Sequence, residues 1–449
     1  MGVRGLTGLL ARFAPKSIQT VNANELAHQT VAIDASCNLS KFIYGDEPHP
    51  HKHIFGFFML ARFCEINNIK PIFIFDGASR IPAKKLELDR RDRARNKVDH
   101  SLLFEVERNL RLDALFQSSS NKESLSNDAV IRILARLDQT QDTLTDAHAQ
   151  VNKNIVEKAD KPSLEAKLSE WADGINQAAV LSEDREKYTQ TVRNLTAKER
   201  DTMSTIVQDQ LNSVKSFLSP LMVENEYLLS SLEKRSIRVT QQLREECQFF
   251  LESQGHLCFS CEDHEAEAMC AHLGKTNRTS ATVSEDLDTI VFGDTPIIRH
   301  FFSKGKDSFM IDPIVARREL GLTKESFMDM CILCGTDFST KIKGIGPIRA
   351  LQHIQKYGSI ENILENMTSK YIPEEGFDYK LAREVFSTLP PIPLKDKDYA
   401  QPIVSKKLSE RMLEFYEIDV VDVENRIRTI IFQQGLGLHN WESDPFSSK

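Results

Sequence analysis

The sequence predicts an α/β fold: a mostly parallel central sheet interrupted by a large helical insertion and followed by a helical C-terminal region. Three observations carry that reading. Short apolar runs without polar alternation, such as Thr30-Val31-Ala32-Ile33 and Pro71-Ile72-Phe73-Ile74-Phe75, fit strands buried on both faces. The stretch between them, Phe55 to Asn68, has helical pattern, which is the spacing of a β-α-β unit. Residues 101–240 hold one glycine (Gly174) and two prolines (Pro162, Pro220), so an extended helical segment splits the sheet-forming regions.

Taken in order, Leu6, Leu9, Leu10 and Phe13 predict a short helix packed on a core. The segment has no acid before Glu25 and carries Arg4, Arg12 and Lys16, a composition like that of a mitochondrial transit peptide, but the core helix is the preferred reading. The first two strands end at Asp34 and Asp76-Gly77. Within the insertion, Val130-Ile131-Ile133-Leu134-Leu137 and Leu218-Leu221-Met222-Leu228-Leu229-Leu232 have helical periodicity, separated by polar breaks at Gln117 to Asn127 and Asp138 to Asp146. Helical spacing from Val239 to Ser253 leads to a strand at Gly255 to Phe259, and His264 to Ala271 opens a helix. Two further strands are expected at Thr279 to Val283 and Thr289 to Gly293. Beyond Asp312 the pattern is helical, including Phe327 to Gly335. Pro390 to Pro393 and Lys395 to Pro402 form a linker, a helix follows at Ser405 to Phe415 and a short element at Val423 to Phe432, and Trp441 to Lys449 fray. The expected divisions are 1–97 and 239–311 as two halves of one domain, 98–238 as the insertion, 312–389 as a helical region and 390–449 as linker and extension.

The chain has 449 residues, 41% of them hydrophobic and 27% charged, which suits a globular protein of one large or two to three ordinary domains. No window approaches the roughly 18 uninterrupted apolar residues of a membrane span. With 57 Lys and Arg against 65 Asp and Glu, the net charge of −8 excludes a generally basic coat, so any nucleic-acid contact is a local patch. Eight cysteines do not form a disulfide framework. The pairs Cys258/Cys261 and Cys331/Cys334 have zinc-like spacing, but their apolar neighbours predict buried small side chains.

Six acids end predicted strands or open the next helix: Asp34, Asp76, Glu265, Glu267, Asp286 and Asp288. Asp337 follows a helix. A single acid after a strand is usually a turn former or a cap. Glu-x-Glu and Asp-x-Asp pairs beside buried runs point further, because so many carboxylates at one sheet edge would repel strongly without cations. Magnesium suits an all-oxygen site, and paired ions can clamp both oxygens of a phosphoryl displacement.

With these acids the sequence resembles the flap endonuclease/XPG superfamily of structure-specific 5′ nucleases. The matching residues are Met1-Gly2-Val3-Arg4-Gly5-Leu6, Val31-Ala32-Ile33-Asp34-Ala35-Ser36, Phe75-Asp76-Gly77, Glu265-Ala266-Glu267-Ala268, Glu285-Asp286-Leu287-Asp288 and Gly335-Thr336-Asp337-Phe338, and then Ile342 to Ala350, similar to its helix-hairpin-helix signature. The match covers roughly residues 1–97 and 239–366. The resemblance implies a PIN-like 5′-nuclease sheet, with the insertion as the family's helical arch or cap. It also implies that Asp34, Asp76, Glu265, Glu267, Asp286, Asp288 and Asp337 are the seven metal-binding acids, holding two Mg²⁺ with Mn²⁺ as a substitute. Gly2 matches the glycine beside the site, which argues against a cleaved leader, and Lys84 and Arg91 match, with a small shift in spacing, the basic pair at the base of the arch. From the sequence itself, Arg80 to Lys97 carries eight basic residues against three acids. Gly344 and Gly346, flanked by Lys341, Lys343 and Arg349, form a glycine turn opening a helix, a phosphate-binding arrangement. The resemblance adds a backbone grip on duplex DNA through K⁺ there.

Two departures stand out. Where flap-cutting relatives carry a stacking tyrosine this chain has Ser40, so Phe42 or Tyr44 is the expected base-stacking residue, with core packing the alternative for Phe42. Glu265 lies 189 positions beyond Asp76, so the arch is enlarged relative to minimal flap endonucleases. The resulting expectation is a magnesium-dependent endo- or exodeoxyribonuclease of repair or replication, monomeric, acting on DNA with duplex and 5′ single-strand or junction features. The nucleus is the expected compartment, with mitochondrion or cytoplasm as alternatives. A protein partner is expected on 101–238. The alternatives are an RNA-cleaving nuclease on the same fold and a non-catalytic scaffold binding RNA or protein.

Overall fold

In the computed structural model, described residues are 2–79, 81–118, 125–137, 164–209, 214–303, 306–368, 370–393 and 395–435. They fall into two units, one from residues up to 88 together with those from 239 onward, and one from residues 89–238.

The first unit is built on a seven-stranded sheet of β1 (Ile18–Thr20), β2 (Thr30–Asp34), β3 (Lys70–Asp76), β4 (Leu257–Cys261), β5 (Ala281–Val283), β6 (Ile297–Arg299) and β7 (Phe309–Ile311), in the order β1-β7-β6-β5-β2-β3-β4. The neighbours β6-β5-β2-β3-β4 are all parallel, while β7 runs antiparallel to β6 and to β1. The unalternating apolar runs have a direct explanation. In β2, Val31 and Ile33 enter one hydrophobic core and Ala32 the other; in β3, Phe73 and Phe75 enter the first and Ile72 and Ile74 the second. A strand buried on both faces leaves no polar positions to alternate. The short strands β1, β6 and β7 were not anticipated, because three residues are too few to show a period.

Thr289 to Gly293 is not the strand its composition suggests. Residues Thr289–Phe292 form a helical turn, with the Val291 amide donating to the Asp288 carbonyl (2.9 Å), and all four are buried. Short, fully buried apolar runs carry no periodicity that separates strand from helix. The N-terminal helix, Leu6–Phe13, packs through Leu6, Leu9 and Leu10, but Phe13 is solvent-exposed beneath the Arg12 guanidinium. Gly5, at φ +68°, passes so close to Pro347 that a Cβ would lie 2.7 Å from its ring. Both Cys-x-x-Cys pairs are buried and reduced. Cys258 and Cys261 enter cores on opposite faces of the sheet, so they cannot share an ion. The proline-rich segment after Pro390 packs down: Ile392 is buried, and Tyr399 donates to the Pro393 carbonyl (2.7 Å) and lies under the Arg278 guanidinium. C-terminal helices Lys406–Phe415 and Val420–Gly435 follow. The end of the chain, expected to fray, lies outside the described residues.

The second unit is helical, containing most of Lys85–Ser118 together with Asn127–Leu137, Leu164–Ser182, Gln190–Gln208 and Val214–Ser236. The periodic residues Ile133, Leu137, Leu218, Leu221 and Leu232 point inward as expected. The expected polar break at 138–146, and most of that at 117–127, lie outside the described residues. The core holds a polar network that the pattern of apolar residues did not reveal. Arg108 is fully buried, donating to Glu105 (2.6 Å) and Glu199 (2.8 Å), and Asn225 donates to Glu105 (2.8 Å). Removing one partner of such a network strands a buried charge. Arg108→Ala should therefore destabilise this unit by about 3–5 kcal/mol, read as an earlier urea-unfolding transition. Unchanged unfolding would show that the network is energetically idle.

Candidate metal centre

Parallel neighbours end at the same edge of a sheet, so the carboxyl ends of β5, β2, β3 and β4 lie side by side. Asp34 and Asp76 are the last residues of β2 and β3. The loop after β4 delivers Glu265 as the N-cap of the helix Ala266–Lys275, with Glu267 in its first turn. The loop after β5 delivers Asp286 and Asp288, the latter at the start of Thr289–Phe292. Asp337 follows the helix Lys324–Cys334.

Asp76, Glu265 and Glu267 each present a carboxylate oxygen within 4.8 Å of the other two. Asp34, expected among them, stands outside that set. It is fully buried, and its oxygens accept from the Cys37 amide (2.9 Å) and the Ser284 hydroxyl (2.6 Å). The Ser284 hydroxyl also accepts from the Asp286 amide (3.0 Å), and Asp286 accepts from the Asp288 amide (3.0 Å). Asp76 accepts from the Ala266 amide (3.0 Å), while its own amide donates to Ser36 (2.9 Å). Ser284 and Ser36 thus hold the acids in place. Sequence reasoning did not single them out, although Ser36 stood inside a matched motif.

Burial and mutual repulsion raise the carboxyl pKa values. Asp34 is pushed up to about 7 by burial first and by Asp76 next. Glu267 is raised by burial and then by Asp34 and Asp286; Asp288 by burial and then by Asp286 and Asp337. Burial also raises Asp286 and Glu265. These pairings place all seven acids in one electrostatic cluster. Lys84, at the end of the turn Pro82–Lys84, is paired with Glu265 and lies 3.7 Å from Asp337. Despite its burial, these acids raise its own pKa, so it stays a cation.

Gly2 adopts φ +78°, and a Cβ there would overlap Asp286 and lie 2.6 Å and 2.8 Å from the Asp288 and Leu287 amides. Only glycine lets the N-terminal segment pass this close. The Arg4 amide, bonded to the Gly335 carbonyl (3.2 Å), pins the segment. Arg91 lies on the helix Lys85–Ser118, within the second unit. In the glycine turn, Lys343, Gly344 and Gly346 are exposed and Lys341 is half-buried ahead of the helix Pro347–Tyr357; Gly344 has φ +87°. Arg349 donates to the Gly344 carbonyl (2.6 Å), bracing the turn. Tyr44 is exposed. Phe42 is not available for stacking: it is buried edge-on against Phe57, with Gly56 pressed to its ring.

Residues 1–98 match the XPG N-terminal domain and residues 262–337 the XPG I-region. These matches support the flap endonuclease/XPG nuclease superfamily. Flap endonuclease 1 of Nematostella vectensis is 40% identical over 166 residues, covering 35% of this chain and 43% of the relative. Flap endonuclease 1 of Caenorhabditis elegans is 39% identical over 158 residues, covering 34% and 41%. The chain thus spans about two fifths of the length of these curated relatives. The catalytic core of Rad2, solved in complex with a DNA substrate, shares the fold at a TM-score of 0.53 and 15% identity, with 96% of this chain and 100% of that chain covered. The matched regions contain all seven acids, and the long helical unit falls between them.

The residues fit hard divalent cations. The donors are all carboxylate oxygens, and Asp288 Oδ1 is buried without a hydrogen-bond partner among the described residues. The same physics gives a pH signature. An acid whose folded pKa is raised favours folding at low pH, and that stability is lost as pH rises through the folded value. For Asp34 the window runs from 3.8 to about 7. The metal-free protein should therefore melt at progressively lower temperature from pH 4.5 to pH 8, and Mg²⁺ should raise the melting temperature more at pH 8 than at pH 5.5. Calorimetry showing an equal metal effect at both pH values would contradict the clustering of the acids. Gly2→Ala should weaken Mg²⁺ binding at least about tenfold by displacing Asp286, measured by titration calorimetry.

Proposed function

We propose that this chain is a divalent-metal-dependent, structure-specific nuclease that hydrolyses phosphodiester bonds in branched or 5′-ended DNA during nuclear repair or replication. The observation that carries the reading is the delivery of acids from four neighbouring parallel strands to one sheet edge, with a lysine lodged among them. Its sequence relatives are flap endonucleases, and Rad2, which shares its fold, was solved with DNA.

In this reading Asp76, Glu265 and Glu267, together with Asp34, would hold one Mg²⁺, and Asp286, Asp288 and Asp337 would hold the other; Mn²⁺ could substitute. Bound cations supply Lewis-acid polarisation of the attacking water and the scissile phosphate. Lys84 places a permanent positive charge beside Glu265 and Asp337, where it offsets charge developing on the phosphate. Ser284 and Ser36 hold Asp34, Asp76 and Asp286 at fixed orientation, so little reorganisation accompanies reaction. The products are a 5′-phosphate and a 3′-hydroxyl.

Duplex grip falls to the glycine turn. Gly344 and Gly346 expose backbone that would hold a phosphate, or a K⁺ supplying positive charge to one, and Lys341 and Lys343 would add charge. Backbone contacts of this kind carry no base readout, so substrate choice rests on DNA shape.

Asp286→Asn should lower cleavage of a 5′-flap duplex by at least about 10³-fold while the dissociation constant for the same DNA stays within a few-fold, measured by gel assay and fluorescence anisotropy. Full activity in that variant would remove the mechanism. Lys84→Ala should lower kcat by roughly 10²–10³-fold, and EDTA should stop the reaction. One titration of flap, nicked, gapped, four-way and RNA substrates separates DNA from RNA cutting, and no cleavage of any of them would favour a binding scaffold.

A further inference from the structure

The second unit carries large apolar side chains that its core does not use. The helices Lys85–Ser118 and Val214–Ser236 are antiparallel neighbours. Asp99 meets Arg238, just past the end of the second helix (2.8 Å), Glu105 meets Asn225 (2.8 Å), and the Lys215 ammonium lies over the Phe116 ring (5.1 Å). On the first helix Leu103, Val106 and Leu110 are exposed at helical spacing. On the second, Val223 and Tyr227 are exposed, two positions to either side of Asn225. Leu103, Leu110 and Val223 are 64–66% exposed and Tyr227 81%. A single exposed leucine is ordinary, but five such side chains on two paired helices mark a contact surface.

These residues share a side. The helix Lys85–Ser118 meets Gln190–Gln208 through Arg108 and Arg111, both paired with Glu199, and meets Val214–Ser236 through Glu105 and Phe116. At 3.6 residues per turn, Leu102, Val106 and Leu110 continue around the helix past Phe116, away from Arg108. On the neighbouring helix Met222 and Val223 lie on the Lys215 side, away from Glu224, which pairs with Lys198 of Gln190–Gln208. Leu102 and Met222 are half-buried against the helical core and join the exposed side chains to it.

The charges here have one sign. Glu107, Asp113 and Glu226 form no ion pair among the described residues. The nearby cations are committed elsewhere, since Arg108 is buried and Arg111 pairs with Glu199. An apolar stripe set among acids complements an amphipathic helix whose apolar residues recur at i, i+3, i+4 and i+7 and whose flanks are Lys and Arg. The same acids disfavour other occupants. They repel a phosphate backbone, so the face does not suit DNA. On a second copy they would be set against one another. Residues 138–163 hold five acids against three lysines, the wrong sign for the chain to cover this face itself.

We propose that this face of the helical unit binds a basic amphipathic helix of another protein. Leu110 and Tyr227 are its apolar anchors, and Glu107, Asp113 and Glu226 set its preference for cations. The face lies wholly within the second unit and uses no residue of the metal centre, so the inference stands apart from the nuclease reading.

The test uses the full chain and two fluorescein-labelled synthetic helices of about 20 residues, long enough to hold helical structure. Both carry the same leucine stripe, one with lysine flanks and the other with glutamate. By anisotropy the lysine peptide should bind at least about tenfold more tightly. Leu110→Ser with Tyr227→Ala should weaken it at least about tenfold at unchanged net charge. Glu107→Lys with Glu226→Lys should reverse the preference, an outcome that unfolding cannot mimic. All four positions are exposed, and thermal melting by circular dichroism checks that each variant is folded. Equal binding of the two peptides, binding of neither, or lysine-peptide binding that survives Leu110→Ser with Tyr227→Ala overturns the proposal. A dimer in sedimentation velocity that those two substitutions dissociate assigns the face to a second copy and overturns it as well.

Discussion

Seven carboxylates converging on one edge of a buried sheet impose an electrostatic cost that no arrangement of apolar side chains can offset. Desolvation penalises each charged form and every neighbour adds to the penalty, which is why Asp34, Glu265, Glu267, Asp286 and Asp288 all hold their protons more tightly than free carboxyls. A cluster of this kind persists only if something positive is expected there. Lys84 supplies part of that charge from within the chain, and the all-oxygen donor set suits hard cations for the rest.

The surrounding structure serves this constraint. Four parallel strands set the acids side by side, the Ser284 hydroxyl ties the Asp34 carboxylate to the Asp286 amide, and the Ser36 hydroxyl accepts from the Asp76 amide. The N-terminal segment closes against Asp286 through a glycine because no other residue fits there. The glycine turn lies in the same unit, tied to the N-terminal helix where Gly5 meets Pro347. The second unit has a different logic, a helical core organised around a buried arginine and two glutamates. A polar core of that kind favours one packing arrangement over others, because a shifted helix would strand a charge.

Much of this was legible in the residues. Unalternating runs in β2 and β3 announced a sheet covered on both faces, and acids placed just after such runs announced the site. Failures followed physical limits: three-residue strands have no readable period, and Thr289–Phe292 is too short and too apolar to declare its type. Phe42 and Tyr44 share a helix, and sequence could not separate the one packed on Phe57 from the one left in solvent.

The buried strands β2 and β3, the acids that follow such strands and the helical character of the interruption were written in the sequence, because each depends on local pattern: burial on two faces, residue type at a strand end, scarcity of glycine and proline. Only the tertiary structure decided that Asp34 stays outside the close group of Asp76, Glu265 and Glu267 oxygens, that Ser284 ties Asp34 to the Asp286 amide and that Ser36 accepts from the Asp76 amide. Those features arise between residues up to 250 positions apart. They are set by strand register and side-chain packing, which a one-dimensional pattern does not encode.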